Sequence, residues 1–399
     1  MTNIINSLIN ILVHGLWQLP WWGYLAFVLI VTQITIFSVT IYLHRHSAHR
    51  ALELHPVVKH FFRFWLWLTT GQSTKAWTAI HRKHHARVET DEDPHSPQTR
   101  GLRKVLLEGA ELYRAEAKDK ETLERFGEGT PNDWLELRLY GPHSTAGVIA
   151  MLVIDIALFG FLGMTIWAIQ MAWIPFWAAG VVNGVGHYWG YRNFESEDAS
   201  RNLVPWGLFI GGEELHNNHH TYATSAKFSV KPWEVDIGWG MIRLLQLFGL
   251  ATPKRVVPKP KLVPNKNLID VDTLKGLVSN RFQVMSRYAK EVILPVLREE
   301  KKRADKAGQN LLRRARTLLV REKSLLKSPH WMTLNKMLDT SQMLRTVYDF
   351  RLQLQAIWSR NTASTAELVE ALQEWCRQAE ATRIEVLSRF SKHLRMYAV

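Results

Sequence analysis

Three histidines, His216, His219 and His220, stand at i, i+3 and i+4 in the run Glu213-Glu214-Leu215-His216-Asn217-Asn218-His219-His220. On a helix this spacing puts three imidazoles on one face within a single turn. Neutral imidazole is polar and demands partners, so such a face cannot be a packing surface. It can be half of a metal site, because imidazole is the commonest protein ligand for iron, zinc, copper and nickel. His81, His84 and His85 repeat the spacing. His44 and His49 are five apart, which brings both to one pocket only where their helix ends or bends. His187 follows Asn183 by one turn. Nine histidines in four groups exceed the ligands of one tetrahedral zinc site and suit two metals with four or five nitrogens each. An all-imidazole pair fits redox-active iron, and spacing leaves zinc and copper open. His14, His55, His60, His143, His330 and His393 have no ligand spacing; His46 is expected to point away, and His95 is a candidate for the layer behind the ligands.

These groups sit at the ends of apolar segments or in the adjoining loops. Residues 4–43 are apolar almost throughout, broken by Pro20-Trp21-Trp22-Gly23. At about 1.5 Å per residue, Trp22 to Leu43 can cross a hydrocarbon core of about 30 Å. Residues 4–19 predict a short or tilted first crossing, or an interfacial helix. Ala146 to Gln170 and Met171 to Trp189 predict a membrane hairpin, with Asp155 engaged in helix–helix hydrogen bonding or at the interface. Residues 52–71 and 237–250 predict amphipathic helices, the latter lying at the membrane interface. The Trp17, Trp21 and Trp22 cluster suits that interface too. With two crossings before His44 and two between Ala146 and Trp189, all four histidine groups fall on one side. The expected fold is all-α and integral to the membrane, with about four transmembrane helices and a cytosolic helical cap holding a dinuclear metal site.

The divisions are N-terminal membrane helices (1–43), a cytosolic region with the first two histidine groups (44–145), the hairpin (146–190) and a second cytosolic cap region (191–252). A Pro- and Lys-rich linker (253–264) and a basic helical C-terminal region (265–399) complete the chain. From Lys254 onward there are 29 Lys/Arg against 14 Asp/Glu, a net +15 where the whole chain is +14. The tail therefore carries the entire basic excess. No nucleic-acid motif appears in it, and the anionic leaflet of the bilayer is the simpler expected partner. Cys376 is the one cysteine, which excludes an intrachain disulfide and a Cys-ligated iron–sulfur cluster within the chain. Electrons, if used, come from another protein. The first Lys or Arg is Arg45, so no cleaved signal peptide is expected.

His44-Arg45-x3-His49-Arg50, His81-Arg82-x-His84-His85, Asn183-x3-His187 and Glu213-x2-His216-Asn217-x-His219-His220 resemble the histidine boxes of integral-membrane fatty acid desaturases of the delta-9 acyl-CoA type, in their bacterial branch. The resemblance spans roughly residues 20–255 and includes the order, spacing and flanking Arg and Asn. It implies a diiron centre held by His44, His49, His81, His84, His85, His187, His216, His219 and His220, with Asn183 holding a metal-bound water. It also implies O2 as co-substrate and a separate electron donor of ferredoxin, rubredoxin or cytochrome type with its reductase. The implied reaction removes two vicinal hydrogens from a long acyl chain to leave a cis double bond, with the site facing the cytoplasm at the inner membrane. Animal members carry Arg-Asp directly before the second box where Ala79 and Ile80 stand here, so the acyl carrier is either CoA or a phospholipid. Trp77, Trp189 and Trp206 lie near the motifs and are candidates to line the substrate tunnel. A membrane diiron hydroxylase is the nearest rival, disfavoured by Arg45 and Arg82. The rival from another class is a non-catalytic zinc-binding membrane protein.

Overall fold

The computed structural model describes residues 10–313, 315–360 and 362–399, so residues 4–9 of the first expected crossing lie outside it. The described chain is mostly helical and divides into two compact units, residues 10–192 with 198–257, and residues 193–197 with 258–399.

The first unit carries every histidine group. Helix α1 (Trp21–Phe37) has no charged residue and continues through wider turns from Ser38 to Ala48. At the end of that widened stretch His49 N–H donates to the His44 carbonyl at 3.0 Å, an i→i+5 bond. A five-residue turn stacks His49 over His44, which a regular α-turn would not do. The bend expected from the spacing is therefore a change of helical pitch.

A short strand β1 (Leu52–Leu54) leads into α2 (Pro56–Thr69) and α3 (Thr74–Ala86), the latter capped by the Ser73 hydroxyl on Ala76 N–H. β1 pairs antiparallel with β4 (Ala251–Pro253), tying the start of this unit to its end. Helix α4 (Leu102–Glu116) packs against the end of the apolar hairpin. Gly109 and Gly180 permit this approach, since a Cβ on either would lie 2.6 or 2.7 Å from a carbonyl of the other helix.

The hairpin differs from expectation in its turn. Its arms are α5 (Ser144–Phe159) and α6 (Phe161–Ile174, continuing in wider turns to Val185), and the chain reverses at Gly160 rather than near Met171. Gly160 has φ 61° and ψ −142°, a conformation that other residues adopt only under strain. Hydropathy does not change across Gly160, so it could not mark the reversal. Trp167 Nε1–H donates to the Val148 carbonyl at 3.0 Å across the antiparallel arms. Asp155 is fully buried on one arm and Gln170 nearly so on the other.

Among the described residues, two of the four expected crossings are helices both long and apolar enough to span a membrane: Trp21–Ala48 with 28 residues and Phe161–Val185 with 25. Ser144–Phe159 is equally apolar but has 16 residues. Residues 10–14 are helical, and Trp17 N–H bonds the Leu158 carbonyl at 2.8 Å, beside the Gly160 turn. The helix α7 (His216–Thr221) and helix α8 (Ile237–Leu247) complete this unit, with β2 (Trp206–Gly207) parallel to β3 (Val235–Asp236).

The second unit is a helical cluster with its own core, including Tyr288, Val292, Leu334, Leu354, Trp375 and Phe390. Tyr288 and Trp375 satisfy their polar ends on the carbonyls of Val347 and Phe350, at 2.7 and 2.9 Å. Residues Lys261–Leu262 pair antiparallel with Tyr397–Ala398 and close the unit.

Candidate metal centre

All nine expected histidines converge, and they do so in two groups. One contains His44, His49, His81, His85 and His219; the other contains His84, His187, His216 and His220. Within each group the potential ligand atoms lie within 4.8 Å of one another. Nε2 separations are 3.0 Å for His44–His219, 2.8 Å for His49–His81, 2.9 Å for His85–His219 and 2.9 Å for His187–His216. Two nitrogens bound at right angles to one ion by bonds of about 2.1 Å would lie about 3 Å apart.

Acidic side chains orient the rings from behind. The Nδ1 atoms face Glu213 for His44 (2.7 Å), Asp93 for His84 (3.0 Å), Glu89 for His187 (3.3 Å) and Asp198 for His220 (3.2 Å). With the proton on Nδ1 donated to the carboxylate, the Nε2 lone pair points inward, where a metal needs it. Nε2 of His84 and of His220 is buried with no hydrogen-bond partner among the described residues. Burial also pushes His49, His81, His85, His216, His219 and His220 well below the ordinary imidazole range, so these rings are neutral at pH 7. Neutral, orphaned and convergent nitrogens are a donor set that fits imidazole-binding metals such as iron.

The motif arginines serve as clamps. Arg45 is fully buried and pairs with Asp236 at 2.9 Å, donates to the Gly211 and Ala226 carbonyls, and stacks 3.8 Å from the Phe228 ring centroid. Arg82 donates to the carbonyls of Ser47, Ala48, Phe126 and Glu128. Glu214 accepts from the N–H groups of Phe209, Ile210 and Gly212, so the adjacent acids divide their work between ring and backbone turn.

The histidines open on a cavity of about 590 Å³, lined by His44, His81 and His216 together with Asn183. Its further walls are mainly small or apolar, including Ala76, Ile80, Gly109 and Ala179. Trp77 lies on this wall and stacks on His81 with centroids 4.9 Å apart. Trp189 and Trp206 are exposed on the surface and do not line this cavity. His46 points away, to the Leu52 carbonyl. His95 is buried against His84 and lines the cavity, its Nε2 without a hydrogen-bond partner among the described residues and its pKa held down to about 3 by burial.

Sequence reasoning missed Glu89 and Asp198 altogether. Neither has histidine-like spacing, and both lie in loops. Glu89 has one signal that only coordinates reveal: φ 62° in a non-glycine residue, held while its carboxylate accepts from Ala199 N–H at 2.7 Å.

A family model described as fatty acid desaturase matches residues 19–233. The chain is 29% identical over 273 residues to the delta-9 desaturase-like 4 protein of Arabidopsis thaliana, covering 63% of this chain and 84% of the relative. It is 30% identical over 286 residues to the delta-9 desaturase-like 5 protein of the same plant, covering 65% and 88%. Against the icosanoyl-CoA 5-desaturase of Limnanthes douglasii the identity is 28% over 272 residues, covering 63% and 71%. A second model, described as transposase, matches residues 276–399, all within the second unit and less than half of the chain. The chain belongs to the fatty acid desaturase family. It is an oxidoreductase, a fatty acyl desaturase.

Proposed function

We propose that this desaturase introduces a cis double bond at the delta-9 position of a saturated long-chain acyl group carried on CoA or on a phospholipid. The observation that carries this reading is the opening of both histidine groups onto one largely apolar cavity. His44, His49, His81, His85 and His219 would hold one iron, and His84, His187, His216 and His220 the other. A diiron centre, when bound, supplies the O2-dependent oxidation that an unactivated methylene requires, since such a C–H bond has no acidity for a general base to exploit. The balance is one O2, two electrons from a separate donor protein and two protons, with two hydrogens from adjacent carbons, giving two waters and the alkene.

The chain's own residues position and exclude. Trp77, Ala76 and Ile80 confine the acyl chain against the histidine face and keep bulk water from it. Asn183 reaches the same wall and holds a water beside the second histidine group. The four carboxylates keep the rings aimed.

Membrane integration with the site on the cytoplasmic face is part of this proposal. It is supported by the two long apolar helices and by exposed side chains such as Leu29, Ile30, Val153, Phe161 and Phe176, which water does not favour. Four crossings require that residues 4–19 and the 16-residue α5 also traverse a locally thinned bilayer. The test is metal analysis joined to product analysis: protein made with iron available should hold two iron per chain and yield a cis monoene. Zinc alone, with no product, would favour a non-catalytic protein, and hydroxylated acids a hydroxylase.

A further inference from the structure

Away from the histidines, a second pocket of about 460 Å³ lies between the chain after the first histidine group, the start of α2 and residues 129–133. Four cationic side chains line it, Arg50, Lys59, Arg63 and Lys254, against the two carboxylates Glu53 and Asp133. These charges are unevenly satisfied. Arg63 is held by Asp133 and Glu136. Lys59 and Lys254 share one carboxylate, Glu53, at 3.4 and 2.8 Å. Arg50 donates to the Glu128 carbonyl at 3.2 Å and has no carboxylate within ion-pair distance among the described residues. His46 spends Nδ1 on the Leu52 carbonyl, which leaves Nε2, and His60 also lines the pocket.

Arg50 is held in place at some cost. Its φ is 52°, left-handed for a residue with a Cβ. Its guanidinium lies where a side chain at Gly129 would stand, 2.4 Å from an ideal Cβ. The fold thus positions a cation without an anionic partner beside two lysines that share one. An arginine fork with ammonium groups around it is the donor set that phosphate oxygens accept from.

The neighbouring face of α2 indicates the depth at which this pocket sits. Lys59, His60 and Arg63 line the pocket, while Val57, Phe61 and Phe64 on the adjacent face are 66, 46 and 46% exposed. A helix with an apolar exposed face beside a basic stripe suits the boundary between acyl chains and headgroups.

We propose that this pocket binds a phosphate group, supplied by the headgroup of an anionic phospholipid or by a soluble phosphate ester. It holds whatever the metal centre does, because none of the nine histidines lines it. The full chain, purified in neutral detergent, would be titrated with phosphatidylglycerol or phosphatidylcholine and read by native mass spectrometry. Inorganic phosphate would be titrated separately by calorimetry. The wild type should bind phosphatidylglycerol in preference to phosphatidylcholine. Lys59→Gln with Lys254→Gln should weaken that binding at least tenfold, and Glu53→Gln, which frees both lysines, should strengthen it. The Glu53 variant keeps the test decisive if the double variant folds poorly. Variant-sensitive binding of inorganic phosphate without lipid preference would keep the site and assign it a soluble ligand. Equal behaviour of wild type and both variants toward lipid and phosphate would overturn the proposal.

Discussion

At the scale of single residues, the nine converging imidazoles were legible because side chains that meet in one group from one helix stand four or five residues apart, as His44/His49, His81/His85 and His216/His220 do. The carboxylates behind them obey no such rule. They reach the rings from loops, so only Glu213 and Asp93, which happen to fall inside or beside the motifs, could be noticed. Their importance is testable. Asp198→Asn removes the charged acceptor from His220 Nδ1 and should lower metal affinity or turnover by about 10–100-fold. Competition with a chromophoric chelator measures the first effect, and unchanged affinity together with unchanged turnover would count against it. The neutral state of the rings makes a second expectation. Burial depresses the folded-state pKa of His49, His81, His85, His216, His219 and His220, so below about 6.5 the unfolded chain binds protons that the folded chain refuses. Each such group removes up to about 1.4 kcal/mol of stability per pH unit over that range. Stability of the metal-free protein should therefore fall steeply from pH 6.5 toward 5, with more than one proton taken up on unfolding. A flat profile by thermal scans at several pH values would contradict it.

At the scale of elements, helix existence could be read from hydropathy and spacing, and helix geometry could not. The pitch change that aligns His44 with His49 is a backbone choice enforced by packing, and hydropathy is blind to it. The same blindness misplaced the hairpin turn, because Gly160 is one glycine among several in an apolar run. Gly160→Val would force a β-branched residue to φ 61° with its Cβ 2.5 Å from the Val13 carbonyl. A loss of at least about 1–3 kcal/mol is expected in thermal unfolding of the purified protein. Arg45→Ala addresses the clamp between α1 and the start of α8. It strands the Asp236 charge in the interior and should cost about 3–5 kcal/mol. Arg45→Lys should recover only part of this loss, since Lys cannot reproduce the two-pronged contact.

At the scale of the whole molecule, the chain divides near residue 257, inside a prolyl, basic stretch where the charge shifts. The purpose of the C-terminal unit was not readable, because a charged helical cluster carries no chemical motif. All nine histidines belong to the first unit, so deleting residues 265–399 should leave the metal content per chain intact. The basic tail is expected to aid membrane association or turnover. Deletion should lower the membrane-bound fraction or the rate, and retention of both would remove that role.

The central claim is the reaction itself. Fatty-acid profiling by mass spectrometry with double-bond mapping would compare cells making the wild type with cells making His216→Ala, each supplied with an electron donor and its reductase. CoA esters and phospholipids would be analysed separately. A new cis-9 monoene that disappears in the variant is the expected result, and the pool in which it first forms identifies the carrier. Hydroxylated acids in place of the monoene, or identical profiles from iron-loaded wild type and variant, would contradict it.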